Sequence, residues 1–332
     1  MVKRFFLVKK NSVMNDYFKR DSIRGHFFAV LFFVTIGYFF YIAASNMNYI
    51  WKWNSVPKYF VYEESILIEA PSDGKLILEN NKYFLQGDEK TQLKNLDNNF
   101  DFKYEINENI YEGDIIALKR EINAGPILKG LWVTLKISFF AVILTIFIGI
   151  IIALMKLSSS FFLRDISNVY ITIVRGTPLL VQIFLFYFIV ANIFELDRLI
   201  AGILSLGIFF GAYVAEILRG AIQSIDKGQI EAAKSLGISN FQAMRYIILP
   251  QAFKRALPSL VGETIALVKD SSLVSVIAIT DLTKVGKEIV ANTFSPFETW
   301  IVIAMIYLSI TSILSYIGHK LEKRMANQGG IS

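Results

Sequence analysis

Long uncharged runs alternate with short polar stretches along most of this chain. Phe27 to Ala44 is an apolar run of 18 residues without a charge, about enough to cross a bilayer core of ~30 Å as a helix. Further uncharged runs lie at Ile137–Met155, Pro178–Phe194, Leu199–Ala215 and Thr299–Gly318. A sixth candidate, Leu260–Thr280, is apolar but interrupted by Glu263, Lys269 and Asp270. Together they predict six crossings.

Residues 51–125 keep a different period. Ser65-Ile66-Leu67-Ile68-Glu69, Lys75-Leu76-Ile77-Leu78, Tyr104-Glu105-Ile106 and Asp114-Ile115-Ile116-Ala117 read as short strands. Turn chemistry separates them at Pro71-Ser72-Asp73-Gly74, Gly87-Asp88 and Glu112-Gly113-Asp114. The pair APSDGKL and YEGDIIAL resembles the start and end of a small barrel-sandwich module of the lipoyl type, without the lysine turn that would make it a carrier. The competing reading is an extended linker, for which the Asn- and Lys-rich stretch Lys90 to Asn99 speaks.

The fold class expected is therefore an all-α polytopic membrane protein with a small extracytoplasmic β-rich insert. The divisions are a basic segment at 1–26, a membrane anchor at 27–50, the insert at 51–125 and a five-helix core at 126–325. The first run is read as a retained anchor rather than a cleaved signal peptide, because 26 residues precede it and it is rich in aromatic side chains suited to lipid.

Composition agrees and removes other classes. The chain is 54% hydrophobic with a mean hydropathy of +0.47. It has no cysteine, hence no disulfide framework, thiolate metal site or cysteine nucleophile. Its two histidines, His26 and His319, flank predicted spans. With no His/Cys cluster and no Gly-rich phosphate loop, the expected cofactor and metal complement is none, and ATP is not a ligand of this chain. The net charge of +6 does not point to nucleic acid, because the basic residues sit beside the apolar runs. By the positive-inside bias, Lys3, Arg4, Lys9, Lys10, Lys19, Arg20 and Arg24 place the N-terminus in the cytoplasm. Six crossings then put Arg164, Arg175, the loop around Glu231 and Lys320, Lys323 and Arg324 inside as well, with both termini cytoplasmic. Glu195–Arg198 and 284–298 fall outside.

One stretch between spans cannot itself span. Gly228 to Pro250, GQIEAAKSLGISNFQAMRYIILP, carries Glu231, Lys234 and Arg245, each costly in hydrocarbon. It reads as two short amphipathic helices broken at Gly237, with Ala232 and Ala233 forming a small flat face, Leu236, Ile238 and Phe241 as apolar anchors, and Pro250 ending the unit. Glu231-Ala232-Ala233, Gly237 and Leu249-Pro250 at this spacing resemble the coupling loop (220–258) of ABC importer permeases. Arg175-Gly176-Thr177-Pro178-Leu179-Leu180-Val181-Gln182, read as opening the third span, extends the likeness. So do Gly211-Ala212-Tyr213 with Glu216 and Arg219, Lys269-Asp270-Ser271-Ser272-Leu273, and Leu321-Glu322-Lys323-Arg324. The combination is similar to the polar-amino-acid branch of that family, over roughly 126–325.

The resemblance implies a transmembrane subunit, not an enzyme. Its expected partners are a cytoplasmic ATPase dimer, a second permease subunit and an extracytoplasmic solute-binding protein. ATPase coupling falls to Glu231, Ala232, Ala233, Gly237, Leu249 and Pro250. For a substrate bearing an ammonium and a carboxylate, Asp270 is the candidate for the first, and Arg175 or Ser271 and Ser272 for the second. Lys269 and Glu216 are further candidates; in competition, Lys269 and Asp270 form structural ion pairs, and Glu216 pairs with Arg219 at i, i+3. Two other classes are weighed. An ion-coupled secondary transporter would not need the Glu231 loop, and no inverted repeat is evident. A membrane sensor using 51–125 would need an output domain, and only about 14 residues follow Gly318.

Overall fold

Hydrocarbon offers a backbone no hydrogen bonds, so apolar runs of this length close their amides internally as helices. The computed structural model describes residues 25–47, 49–79, 82–86, 90–93 and 100–327. The basic segment up to residue 24, the Gly87-Asp88 turn and the Asn-rich residues 94–99 lie outside the described residues. Two units result, Met1–Lys52 and Trp53–Ser332.

In the first unit, helix α1 (Gly25–Ser45) is apolar and bare of contacts on nearly every side. A helix hydrophobic all round belongs in lipid.

Among the described residues, the second unit begins with a short helix α2 (Val56–Phe60) and seven strands: β1 (Val61–Glu69), β2 (Gly74–Glu79), β3 (Lys82–Gln86), β4 (Lys90–Gln92), β5 (Asp101–Phe102), β6 (Asn109–Ile110) and β7 (Ile115–Ala124). They form two antiparallel sheets, ordered β1-β7-β5 and β4-β3-β2-β6. Leu76, Leu85 and Ile110 from one sheet and Ile116 and Ala117 from the other bury one small core. The insert is thus a β-module where it is described, and the long β1–β7 ribbon is its stalk. That ribbon ends against the helices. Tyr59 and Phe60 pack with Ile127, Leu282, Val285, Ile289 and Ile303, and Gly125 N–H donates to the Phe60 carbonyl at 2.6 Å. A Cβ on Gly125 would meet the Tyr59 carbonyl oxygen at 2.3 Å, so the close chain crossing requires glycine.

The helical core comprises α3 (Pro126–Lys156), α4 (Phe161–Gly176), α5 (Leu179–Leu185), α6 (Arg198–Gln223), α7 (Lys227–Ser235), α8 (Asn240–Ala243), α9 (Leu249–Asp270), α10 (Leu282–Thr293) and α11 (Pro296–Asn327). Its 31-residue α3, about 46 Å long at 1.5 Å per residue, runs from the β-module end to the α7–α8 end. Small residues four apart make its seam with α6. Ala141, Thr145, Gly149 and Ala153 on α3 are buried, as are Gly207, Gly211 and Ala215 on α6. Such rows let two helix backbones approach closely in a membrane. At the other end of α6, α10 is held by its buried N-cap Asp281, which accepts from the Thr283 and Lys284 N–H groups. Thr134 Oγ1 accepts the Leu282 N–H at 3.0 Å.

Among the described residues, α1, α3, α6 and α11 are long and apolar enough to cross a membrane, and α4 with α5 makes a fifth crossing if taken as one bent pair. The third crossing expected from Pro178 to Phe194 does not stand alone. Helix α5 continues through a π turn (Phe186–Ala191), and Leu179–Ala191 reaches only about 20 Å, so it depends on α4, from which it departs at 108°. The bend lies at Thr177-Pro178, where proline removes a donor. Gln182 Nε2 spans the break, donating to the Val174 carbonyl at 2.7 Å and Thr177 Oγ1 at 2.7 Å. Arg175 accordingly ends α4 rather than opening a span. The sixth run becomes α9 followed by a 3₁₀ segment, Ser271–Ile277. It falls short on apolarity because α9 also holds Lys254, Arg255, Glu263, Lys269 and Asp270.

Candidate functional site

The Gly228–Pro250 stretch folds as a knuckle, and each of its corners follows from the local sequence. Asp226 caps α7, its Oδ1 accepting the Gly228 N–H at 2.6 Å. Helix α7 ends in a Schellman turn: Gly237 N–H donates to the Lys234 carbonyl at 2.9 Å and Ile238 N–H to the Ala233 carbonyl at 3.0 Å. Gly237 takes φ +72°, the left-handed region open to glycine at little cost. Two residues later a capping box starts α8. Ser239 Oγ accepts the Gln242 N–H at 3.3 Å, and Gln242 Oε1 accepts the Ser239 N–H at 3.1 Å. Glycine, serine and glutamine thus stop one helix and start the next within six residues.

Two details differ from expectation. The flat alanine face is split: Ala232 is exposed, whereas Ala233 is turned inward at 2% exposure. Pro250 does not end the unit either, since α8 passes through a π turn at Met244–Ile248 straight into α9, with Pro250 in its first turn. A proline lacks the donor for residue i−4 and its ring crowds that carbonyl; widening the preceding turn accommodates both. Three large apolar side chains stand exposed among the knuckle's charged and polar ones. Leu236 is 78% exposed, Phe241 71% and Tyr246 68%, with Glu231 exposed beside them.

The charged candidates are distributed between two places. At the break after α9, Asp270 is half-buried and its carboxylate makes no capping bond to the 3₁₀ turn it precedes. Lys269 is exposed and acts on Asp270 electrostatically. Glu263, two turns earlier, is within electrostatic reach of both Asp270 and Arg175. Arg175 is exposed at the α4–α5 bend, its guanidinium 5.0 Å from the Tyr213 ring centre. Ser271 is committed elsewhere: it is 1% exposed, donates to the Val268 carbonyl at 2.8 Å and accepts from Ser138 of α3 at 3.3 Å. Ser272 remains half-buried. Glu263 is thus the common electrostatic partner of Arg175 and Asp270. Glu263 was not singled out as a site residue from sequence; its spacing of seven from Asp270, about two helical turns, is the signal that places both toward one side of α9.

Glu216 lies in the second place, at the far end of α6. Lys156 Nζ is 2.5 Å from its Oε1 and Arg219 Nη2 2.8 Å from its Oε2. Lys156 was missed; as the only charge in the last turn of α3 it needed a partner, which the sequence order alone does not name. No group of three or more His, Cys, Asp or Glu side chains suited to a metal ion occurs among the described residues.

Residues 145–327, which hold the α3–α6 seam, the knuckle and the broken span, match the family described as Binding-protein-dependent transport system inner membrane component. The chain belongs to that family. The glutamine transport system permease protein GlnP of Escherichia coli (strain K12) is 38% identical over 202 residues, covering 60% of this chain and 92% of that protein. A crystal structure of an amino acid ABC transporter with histidines superposes with a TM-score of 0.56 at 43% identity, over 60% of this chain and 94% of that one. An inward-facing structure of the MetNI methionine ABC transporter matches with a TM-score of 0.53 at 18% identity, over 60% of this chain and 95% of that one, which speaks for the fold alone. The chain is thus an ABC permease, a transport subunit of the inner membrane whose ATP hydrolysis belongs to a separate chain, not a secondary transporter or a sensor. Helix α1 and the β-module precede the matched region.

Proposed function

We propose that this permease imports polar amino acids, driven by a cytoplasmic ATPase dimer that seats on the α7–α8 knuckle. A second permease subunit completes the membrane pathway, and an extracytoplasmic solute-binding protein delivers the substrate. Both termini and the knuckle lie in the cytoplasm, and the β-module lies on the other side.

The observation that carries the reading is the knuckle's surface. Leu236, Phe241 and Tyr246 are bare on a segment whose charges keep it out of lipid, and large apolar side chains left exposed on such a segment speak for a protein contact. Glu231 adds a charge for a basic residue of the partner, and Gly237 fixes the angle between the two helices. For the substrate, Asp270 receives the ammonium, and Arg175 with Ser272 holds the carboxylate. Glu263 balances the Arg175 charge when the site is empty, and Lys269 stays outside the pocket on the exposed side of the turn.

Replacing both anchors, Leu236→Asp with Phe241→Asp, tests the coupling role in the purified complex. The expected result is loss of the ATPase subunit on affinity purification while the permease still inserts. A complex that retains the ATPase and transports normally overturns the assignment.

A further inference from the structure

A series of polar contacts runs from the end of α3 to the end of α6, from which the backbone leads directly into α7. Lys156 is the last residue of α3, and its Nζ meets Glu216 Oε1 at 2.5 Å. Arg219 takes the same carboxylate from the other side, through Nε at 3.2 Å to Oε2 and 3.3 Å to Oε1 and through Nη2 at 2.8 Å to Oε2. Its Nη1 donates to Gln223 Oε1 at 2.5 Å, and Gln223 is the last residue of α6. Ser224 follows as the helix cap. Arg255 of α9 donates from Nη1 to the Ser224 carbonyl and lies 3.1 Å from its hydroxyl. Two residues on, Asp226 caps α7. Beneath this line Ala221, Ile225, Ile248, Ala252 and Ala256 bury a common apolar patch.

Glu216 has both carboxylate oxygens engaged by two cations and is only 18% exposed along its side chain. It therefore has no free oxygen for a substrate ammonium. Without its negative charge, Lys156 and Arg219 would face each other as like charges at the ends of two spans.

We infer that Glu216 is a positioning residue for energy coupling: it ties the end of α3 to the end of α6, from which α7 follows, and the Arg255 cap joins α9 at the same point, so that a push on the knuckle moves three helices together. This rests on the proposed role of the knuckle. Neutralising Glu216 leaves the ATPase seated but lets α7 move without α3.

The test uses the complete transporter, with its ATPase and solute-binding protein, in proteoliposomes. Glu216→Gln is expected to raise the ATP hydrolysed per substrate moved at least threefold, with the half-saturating substrate concentration within twofold of the parent. Lys156→Met is expected to do the same. The two together are expected to be no worse than either alone, because both remove one interaction. Lys156→Arg keeps the contact and is expected to restore the parent ratio. An unchanged ratio in Glu216→Gln overturns the inference. So does a tenfold rise in half-saturating substrate at an unchanged ratio, which would return Glu216 to the substrate site. If Glu216→Gln does not insert, Arg255→Gln breaks the same series at its other end, and a parent-like ratio there overturns the inference as well. ATPase retention by the Leu236→Asp, Phe241→Asp variant is a separate outcome that removes the knuckle's role itself.

Discussion

At the scale of single residues, Gly237 separates two effects that usually come mixed. No heavy atom lies within 4 Å of where its Cβ would sit, yet its φ is +72°. A substitution there meets no neighbour, only backbone strain. Gly237→Ala is expected to destabilise the knuckle by about 1 kcal/mol, and a β-branched Gly237→Val by more. Gly220 is the control: it also has open space, but it lies within α6 with an ordinary φ, so Gly220→Ala is expected to stabilise by about 0.5–1 kcal/mol. Transport coupling should fall in the first pair and hold in the control, read as ATPase activity against uptake. Asp270 gives a second prediction. If its carboxylate holds the substrate ammonium, Asp270→Asn loses a charge contact of about 1–3 kcal/mol, a ten- to hundredfold rise in half-saturating substrate, with basal ATPase activity and melting temperature kept. A lower melting temperature with unchanged substrate dependence would make it a structural charge instead. Asp281 gives a third. Burial raises its carboxyl above the ordinary value, and hydrogen bonds from the Lys284 and Thr283 N–H groups only partly oppose this. A folded-state pKa above the unfolded one means that ionisation costs stability as pH rises past the usual carboxylate range. Asparagine caps a helix equally well, so Asp281→Asn is expected to match the parent in acid and to melt higher at neutral pH.

Elements were legible from the sequence where one local rule decides them. The knuckle is the clearest case, since Gly237, Ser239 and Gln242 each act within a few residues of themselves. The bend at Thr177-Pro178 was not legible. An uncharged run after Pro178 reads as a span of its own, and only the bonds of Gln182 across the break show that the carbonyl freed by the proline is satisfied at a corner. Pro250 misled for the opposite reason: a π turn absorbs what a proline normally breaks. The α3–α6 seam carries its own prediction. A Cβ on Gly149 would lie 2.4 Å from a Val214 methyl carbon, and one on Gly207 2.5 Å from Leu144. Gly149→Leu or Gly207→Leu should force the helices apart, costing about 1–3 kcal/mol and lowering the melting temperature in detergent. Gly262→Leu, with nothing within 4 Å, should leave that temperature nearly unchanged; equal losses at all three would deny the close seam.

At the scale of the whole molecule, orientation decides whether the knuckle can reach a cytoplasmic ATPase at all. The β-module and the knuckle lie at opposite ends of α3, so fixing the side of one fixes the other. The Lys/Arg bias, with α1, α3, the α4–α5 pair and α6 taken as four crossings before it, is the ground on which the knuckle is proposed to lie inside. The bias rests partly on residues before Gly25, outside the described structure, but Arg245 and Arg255 near the knuckle and Lys320, Lys323 and Arg324 at the end of α11 point the same way. Because the chain has no cysteine, one introduced thiol reports its own side without background. Glu105→Cys in the module and Asn240→Cys in the knuckle are both at exposed positions. In intact cells, a membrane-impermeant maleimide that has crossed the outer layers should label position 105 and leave position 240 unmodified. After permeabilisation both should react, which excludes burial as the reason for protection. Labelling at 240 with protection at 105 would reverse the molecule and place the knuckle where no ATP-driven partner can act on it.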